Sequence, residues 1–218
     1  LRTAIIDGNL KVTDEIFEEA FETFNGGEAK KWDASELERT ARHEAGHAFL
    51  CWQSGETPSY VTIVARGNHG GYMQHADNEE KGIYTKDELL AKIRTSLGGR
   101  AAEIVYYGEK DGISTGASGD LVSATNTARH IICTYGMDEK FGLAVIDQQA
   151  ARTGELSSEV REAVNKILAD EMHNAVKLIE ENRSAIDALV EKLLSENHLT
   201  GDAIKEIFEK SKHKELNM

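Results

Sequence analysis

The sequence predicts a mainly α-helical protein with one short β-element beside its first strong helix. Three observations carry this. Apolar residues recur at helical spacing in one segment after another. Pro58 is the single proline in 218 residues, so little interrupts the helices. Only one run, Tyr60–Ala65, is dense in β-branched and aromatic residues and bounded by turn signals.

The elements follow in order. Ile16, Phe17, Ala20, Phe21 and Phe24 share one helical face, and Asn25-Gly26-Gly27 stops that helix. The polar stretch Glu28–Ser35 reads as a linker, dividing the chain into residues 1–27 and 28–218. Ser35 or Asp33 caps a helix running to about Trp52, closed by Ser54-Gly55. The strand Tyr60–Ala65 lies between Pro58 and Gly67-Asn68, and Gly70–Gln74 returns as its partner. Thr85 and Glu88 form a capping box for a helix through Leu89, Leu90, Ile93 and Leu97. Gly98-Gly99 interrupts it at about 1 kcal/mol per glycine, tolerable where another backbone must approach closely. The pattern resumes to Tyr107, and Gly108 ends it.

After a loop over Glu109–Ala117, Ser118 or Asp120 opens a helix ending at Tyr135-Gly136. From Ser158 onward, Val160, Val164, Ile167, Leu168, Ala175, Leu178 and Ile179 fit one face. Asn182-Arg183 breaks that helix before Ile186, Leu189, Val190, Leu193 and Leu194. Asn197 ends the next one, and Thr200 caps a last helix through Ile204, Ile207 and Phe208. The apolar face of these C-terminal helices is wide enough to cover the core and, with the remainder, to meet neighbouring subunits.

Charge and cysteine usage narrow the class. With 25 basic and 38 acidic residues the net charge is −13, which repels phosphate backbones and argues against nucleic acid as a partner. Cys51 and Cys133 are too few for a disulfide framework and sit in helical apolar patterns, so both are expected as free buried thiols in a reducing compartment. No apolar run approaches the ~18–20 residues of a membrane span, and no basic leader with an apolar stretch is present. The chain is expected to be soluble.

The chemistry sits at His43-Glu44-Ala45-Gly46-His47. Helix positions i and i+4 differ by about 40° in azimuth and about 6 Å in rise. Two imidazoles so spaced converge on one ion, a geometry suited to Zn²⁺. Glu44 then points beside the metal, where it can take a proton from an activated water and pass it to a leaving amine. Ala45, Gly46 and Ala48 are small enough for close burial, and buried histidines flanking a glutamate are costly without a task.

A catalytic zinc needs a third protein ligand. The histidine continuation of one metallopeptidase class is absent, since Leu50 and Gln53 stand there. His69 and His75 lie in a Gly-rich stretch and read as solvent histidines. Glu103 would complete an all-helix site. Asp120 would complete one from a helix start, although an acid there also complements the helix dipole. From the residues alone these two remain level.

Five motifs occur together: HEAGHA from His43, VTIVARG from Val61, LGGRAAE from Leu97, STGASGDLVSAT from Ser114 and YGM from Tyr135. In this order and spacing they resemble the protease domain of FtsH-type AAA+ zinc metallopeptidases, membrane-tethered quality-control proteases of bacteria, mitochondria and chloroplasts. The resemblance runs from about Lys31 to Lys210.

It implies a mostly helical zinc metallopeptidase domain, hexameric, that cuts unfolded polypeptides delivered by an ATPase ring. It implies Asp120 as the third ligand to one Zn²⁺ per chain, with Glu103 behind the ligands or in helix packing. It favours Val61, Thr62, Ile63 and Val64 as an edge strand that binds substrate by β-addition. Residues 1–27 resemble the end of the AAA+ small subdomain. ATP is expected to act only through an AAA+ module, since no G-x-x-x-x-G-K-[ST] pattern occurs here. The whole protein is expected at a membrane, with this domain on the cytoplasmic or organelle-matrix side.

The chain departs from the pattern at Ala65, where proline is usual, at Gly119, where asparagine is usual, and between Gln53 and Tyr60. Those departures leave an alternative, a degenerate peptidase serving ring assembly or peptide binding, against which the intact Glu44 argues.

Overall fold

The computed structural model describes residues 20, 23–24, 33–66, 70–75, 82–147 and 157–215. The segment 1–27 lies outside these apart from Ala20, Thr23 and Phe24, and so does His69.

Helix α1 (Ala34–Gln53) starts where Asp33 accepts from the backbone N–H groups of Ser35 and Glu36 and the Glu36 side chain returns to the Asp33 N–H. Every residue from His43 to Cys51 is buried, so α1 runs through the middle of the molecule instead of along its surface. Around it stand α2 (Lys86–Ser96), α3 (Gly98–Tyr107), α4 (Ser118–Cys133), α5 (Ser157–Glu181), α6 (Arg183–Glu196) and α7 (Gly201–Glu215). The mainly α expectation holds.

Three short strands complete the fold: β1 (Pro58–Thr62), β2 (Tyr72–His75) and β3 (His198–Thr200), in the order β2-β1-β3, both pairs antiparallel. Two expectations are corrected here. The first strand begins at Pro58 and ends at Thr62, because Ile63 leaves the ladder to donate to the Asn197 carbonyl. Thr200 stands directly before α7, as expected of its cap, and also closes β3, a strand of three residues that is too short to show alternation in the sequence. Since β3 pairs with β1, the strand expected at an edge is the central one. Val61 and Thr62 are fully buried and paired on both sides, so they offer no open edge for substrate, while Ile63 and Val64 lie beyond the ladder. Among the described residues the edge strands are β2 and β3, and of these β2 borders the cavity.

Two apolar clusters hold the helices. Ala45, Phe49, Ile186, Leu189, Leu193 and Phe208 pack around α1, α6 and α7. Ile93, Leu97, Ala128, Ile131, Ile132 and Val160 pack around α2, α4 and the start of α5. Helix α5 joins the two, entering one with Val160 and Val164 and the other with Ala175 and Ile179. Val160, Ile186 and Leu193 are buried within the chain, so this part of the C-terminal apolar face serves its own core, while Ile167 and Leu178 are only partly buried. Exposed large apolar side chains include Leu194 on α6 and, away from it, Val122, Tyr135, Leu143 and Val145. No helix among the described residues is long and apolar enough to cross a membrane.

The break between α2 and α3 sets the site. Leu97 turns the chain at φ −83°, ψ −3°, and places Gly98 against Gly46. A Cβ on Gly98 would stand 2.8 Å from the Gly46 carbonyl carbon and 2.9 Å from His47 Cα, both backbone atoms. Helices α1 and α3 thus meet closer than any side chain allows. Gly98→Ala is expected to destabilise the fold by about 3 kcal/mol, the upper range for overpacking. An unchanged urea midpoint would contradict the contact.

Candidate metal centre

Four helices converge at one end of a cavity of about 480 Å³, lined among others by Thr40, Gly71, Thr115 and Gly116. Helix α1 contributes His43 and His47 one turn apart, with rings 4.9 Å between centroids. Helix α4 contributes Asp120 from its first turn, where a carboxylate also complements the helix dipole. Asp120 Oδ2 lies 3.2 Å from His43 Nε2 and 3.4 Å from His47 Nε2. Two ligand atoms about 2.0–2.1 Å from one ion at the tetrahedral angle are about 3.3 Å apart. The three donors therefore have the spacing of three corners of a zinc tetrahedron, and all lie within 4.8 Å of one another.

The far nitrogens are fixed as such a site requires. His47 Nδ1 meets the Thr95 carbonyl at 2.7 Å. A carbonyl only accepts, so Nδ1 carries the proton and Nε2 offers its lone pair to the cavity. His43 Nδ1 faces Glu103 Oε1 at 3.5 Å, the carboxylate–histidine arrangement that orients metal ligands. Glu103 is held in turn by Ser114, whose backbone N–H donates to Oε2 at 3.0 Å and whose hydroxyl donates to Oε1. The two acids that the sequence left level thus occupy different places. Asp120 joins the histidines in front, and Glu103 stands behind His43. On the other side of the His43 ring is Gly99, where a Cβ would sit 2.2 Å from Nε2. The second glycine of the α3 start makes room for the ligand itself.

The charges are arranged accordingly. Burial pushes the Glu103 carboxyl up, but hydrogen bonds from His43 and Ser114 prevail and bring it down to about 2. Burial likewise opposes ionised Asp120, yet donors from His43 and His47 hold it well below the usual carboxylate range. Burial favours a neutral His43 ring, but Asp120 and Glu103 outweigh it and raise the imidazole to about 9. A cation and a proton then compete for Nε2, so metal uptake releases a proton. Apparent zinc affinity is expected to drop about tenfold for each pH unit below that value. Zinc titrations at two such pH values check this, and pH-independent affinity would contradict it.

Glu44 is buried beside the cluster and lines the same cavity. Gly71, just before β2, packs against its side chain: a Cβ there would lie 3.2 Å from Glu44 Cγ. Gly119, the departure next to Asp120, has open space around a would-be Cβ and sits in regular helix, so glycine there leaves Asp120 in the first turn of α4. Ala65 is fully buried beyond the end of β1. His75 ends β2 and lines the same cavity without being one of the three converging donors. Sequence reasoning missed the Thr95 carbonyl, for which no side chain could signal, and missed the Ser114 support of Glu103, which only the loop's return to α3 reveals.

Residues 30–207 match the sequence profile of peptidase family M41. A protein of Symbiobacterium thermophilum named ATP-dependent zinc metalloprotease FtsH 2 is 38% identical over 215 residues, covering 94% of this chain and 36% of that protein. The ATP-dependent zinc metalloprotease FtsH of Corynebacterium glutamicum is 34% identical, covering 96% of this chain and 26% of its own length. That of Thermotoga maritima is 33% identical, covering 92% and 36%. The chain spans about a quarter to a third of the length of these relatives. With a profile match over most of its residues and relatives above 30% identity across nearly all of it, the chain belongs to peptidase family M41.

Proposed function

We propose that this chain is a zinc-dependent endopeptidase domain cutting unfolded polypeptides. The observation that carries the reading is the convergence of His43 Nε2, His47 Nε2 and Asp120 Oδ2 in a cavity also lined by Glu44. Zinc held by these three residues supplies a Lewis acid that polarises a carbonyl and makes water more acidic. The chain's own groups do the rest. Glu44 accepts a proton from the attacking water and returns it to the departing amine. Thr95 and Glu103 keep both imidazoles turned with Nε2 forward.

The extended substrate binds along β2 in place of β1. Residues Gly70 to Met73 line the cavity, and among the described residues β2 has a strand partner on one side only. Pairing through main-chain groups accepts many sequences, which suits a protease of unfolded chains. The relatives' names, ATP-dependent zinc metalloproteases, support coupling to an ATP-driven part of the whole protein; delivery by an AAA+ ATPase within a membrane-associated homo-hexamer is the working form that the motif resemblance implies.

The test is cleavage of unfolded casein by the zinc-loaded chain, with and without ATP. Fragments are expected in both conditions at equal rates, since chemistry requires the ion and Glu44 but no nucleotide. A zinc-loaded chain that binds casein without cutting it would favour the degenerate peptide-binding alternative. Stimulation by ATP would reveal a nucleotide site in these residues.

A further inference from the structure

One other set of metal-binding side chains converges among the described residues. Cys51 lies four residues beyond His47, so His43, His47 and Cys51 form one stripe along α1 with a rise of about 6 Å between successive members. The sequence showed Cys51 as a buried thiol and His75 as a solvent histidine. Folding brings them together with Glu56, from the turn that leaves α1. Cys51 Sγ is 3.5 Å from His75 Nδ1, and that nitrogen is 3.4 Å from Glu56 Oε2.

These separations have the size that a tetrahedral ion imposes. With metal–sulfur near 2.3 Å and metal–nitrogen near 2.0–2.1 Å, the two donors stand about 3.5 Å apart, and a nitrogen–oxygen pair about 3.3 Å. The three donor atoms all lie within 4.8 Å of one another. The thiol is buried, the Glu56 side chain is 32% exposed and that of His75 49% exposed, so a fourth position opens to water. Sulfur, imidazole and carboxylate together favour zinc and its neighbours over magnesium or calcium.

A metal-free account exists in which His75 Nδ1 meets Glu56 and an un-ionised Cys51 directly. Burial and the Glu56 charge push that thiol up to about 12, so without a cation it stays protonated. The two accounts differ in one observable: only a cation turns Cys51 into a thiolate ligand.

We propose that Cys51, Glu56 and His75 form a second site for a thiophilic divalent cation, separate from the His43–His47–Asp120 centre. Such an ion would tie the end of β2 to the end of α1. Because β2 borders the peptidase cavity, the second site would hold in place the strand to which substrate is proposed to add.

Cobalt distinguishes the two centres. The His43–His47–Asp120 set has no sulfur and cannot give thiolate-to-cobalt charge-transfer absorption, whereas the Cys51 set must. Titration of the reduced 218-residue chain with Co²⁺ is expected to develop this near-ultraviolet band. It is expected to persist in Asp120→Ala and to vanish in Cys51→Ser and His75→Ala. Cys51→Ser alters a buried position, but the half-exposed His75 can be replaced without disturbing the core, so the second variant stands independently. Absence of the band in the wild type at saturating Co²⁺ would overturn the proposal. So would a band that survives His75→Ala. Neither outcome depends on peptide cleavage, so this site and the peptidase reading can fail separately.

Discussion

Glu44→Gln is expected to lower casein cleavage at least ~100-fold while zinc content stays at the wild-type level. The carboxylate adjoins a ligand on α1 without being one of the three converging donors. Glutamine keeps its size and its packing against Gly71, so the cavity should keep its shape. What is lost is the carboxylate placed next to the ligand His43 that accepts the proton of water and returns it. The loss should therefore fall on the catalytic constant more than on KM. Cleavage at the wild-type rate would remove Glu44 from the mechanism, and loss of zinc with loss of activity would make it a ligand instead.

Asp120→Ala is expected to weaken zinc binding by well over ~100-fold, and Glu103→Gln by only about tenfold. The difference follows from position. Asp120 Oδ2 faces both Nε2 atoms, at 3.2 and 3.4 Å, so its removal deletes a donor. Glu103 reaches the opposite nitrogen of His43, and glutamine there can still accept from Nδ1 or from Ser114. Competition titrations against a chelator of known affinity rank the two. The reverse ranking would move the third ligand to α3.

Much of this site was legible because it depends on short-range geometry. The spacing of His43 and His47 follows from the helix, and the helix follows from its capping residue and its small, buried middle. The expectation that Gly98-Gly99 serve a close backbone approach also emerges in the structure, with Gly46 as the neighbour and the His43 ring over Gly99. What the sequence concealed was long-range. The choice between Glu103 and Asp120 depends on which face of His43 each helix meets, and no local pattern encodes that. The exchange of edge and centre between β1 and β2 has the same origin. Strand β3 arrives from residues 198–200, and its side-chain pattern, with Leu199 alone buried, is too brief to announce a strand. The C-terminal apolar stripes indicated that part of that face covers the chain's own core, and Ile186 and Leu193 are buried there.

The account rests on zinc held by His43, His47 and Asp120, and removal and return of that ion tests it most directly. The purified chain is stripped with a chelator, assayed on unfolded casein, then reloaded with Zn²⁺ and assayed again. The expected result is loss of cleavage on stripping and recovery on reloading in the wild type, with no recovery in Asp120→Ala. Cleavage that survives stripping, or that returns with zinc in Asp120→Ala as fully as in the wild type, would contradict it.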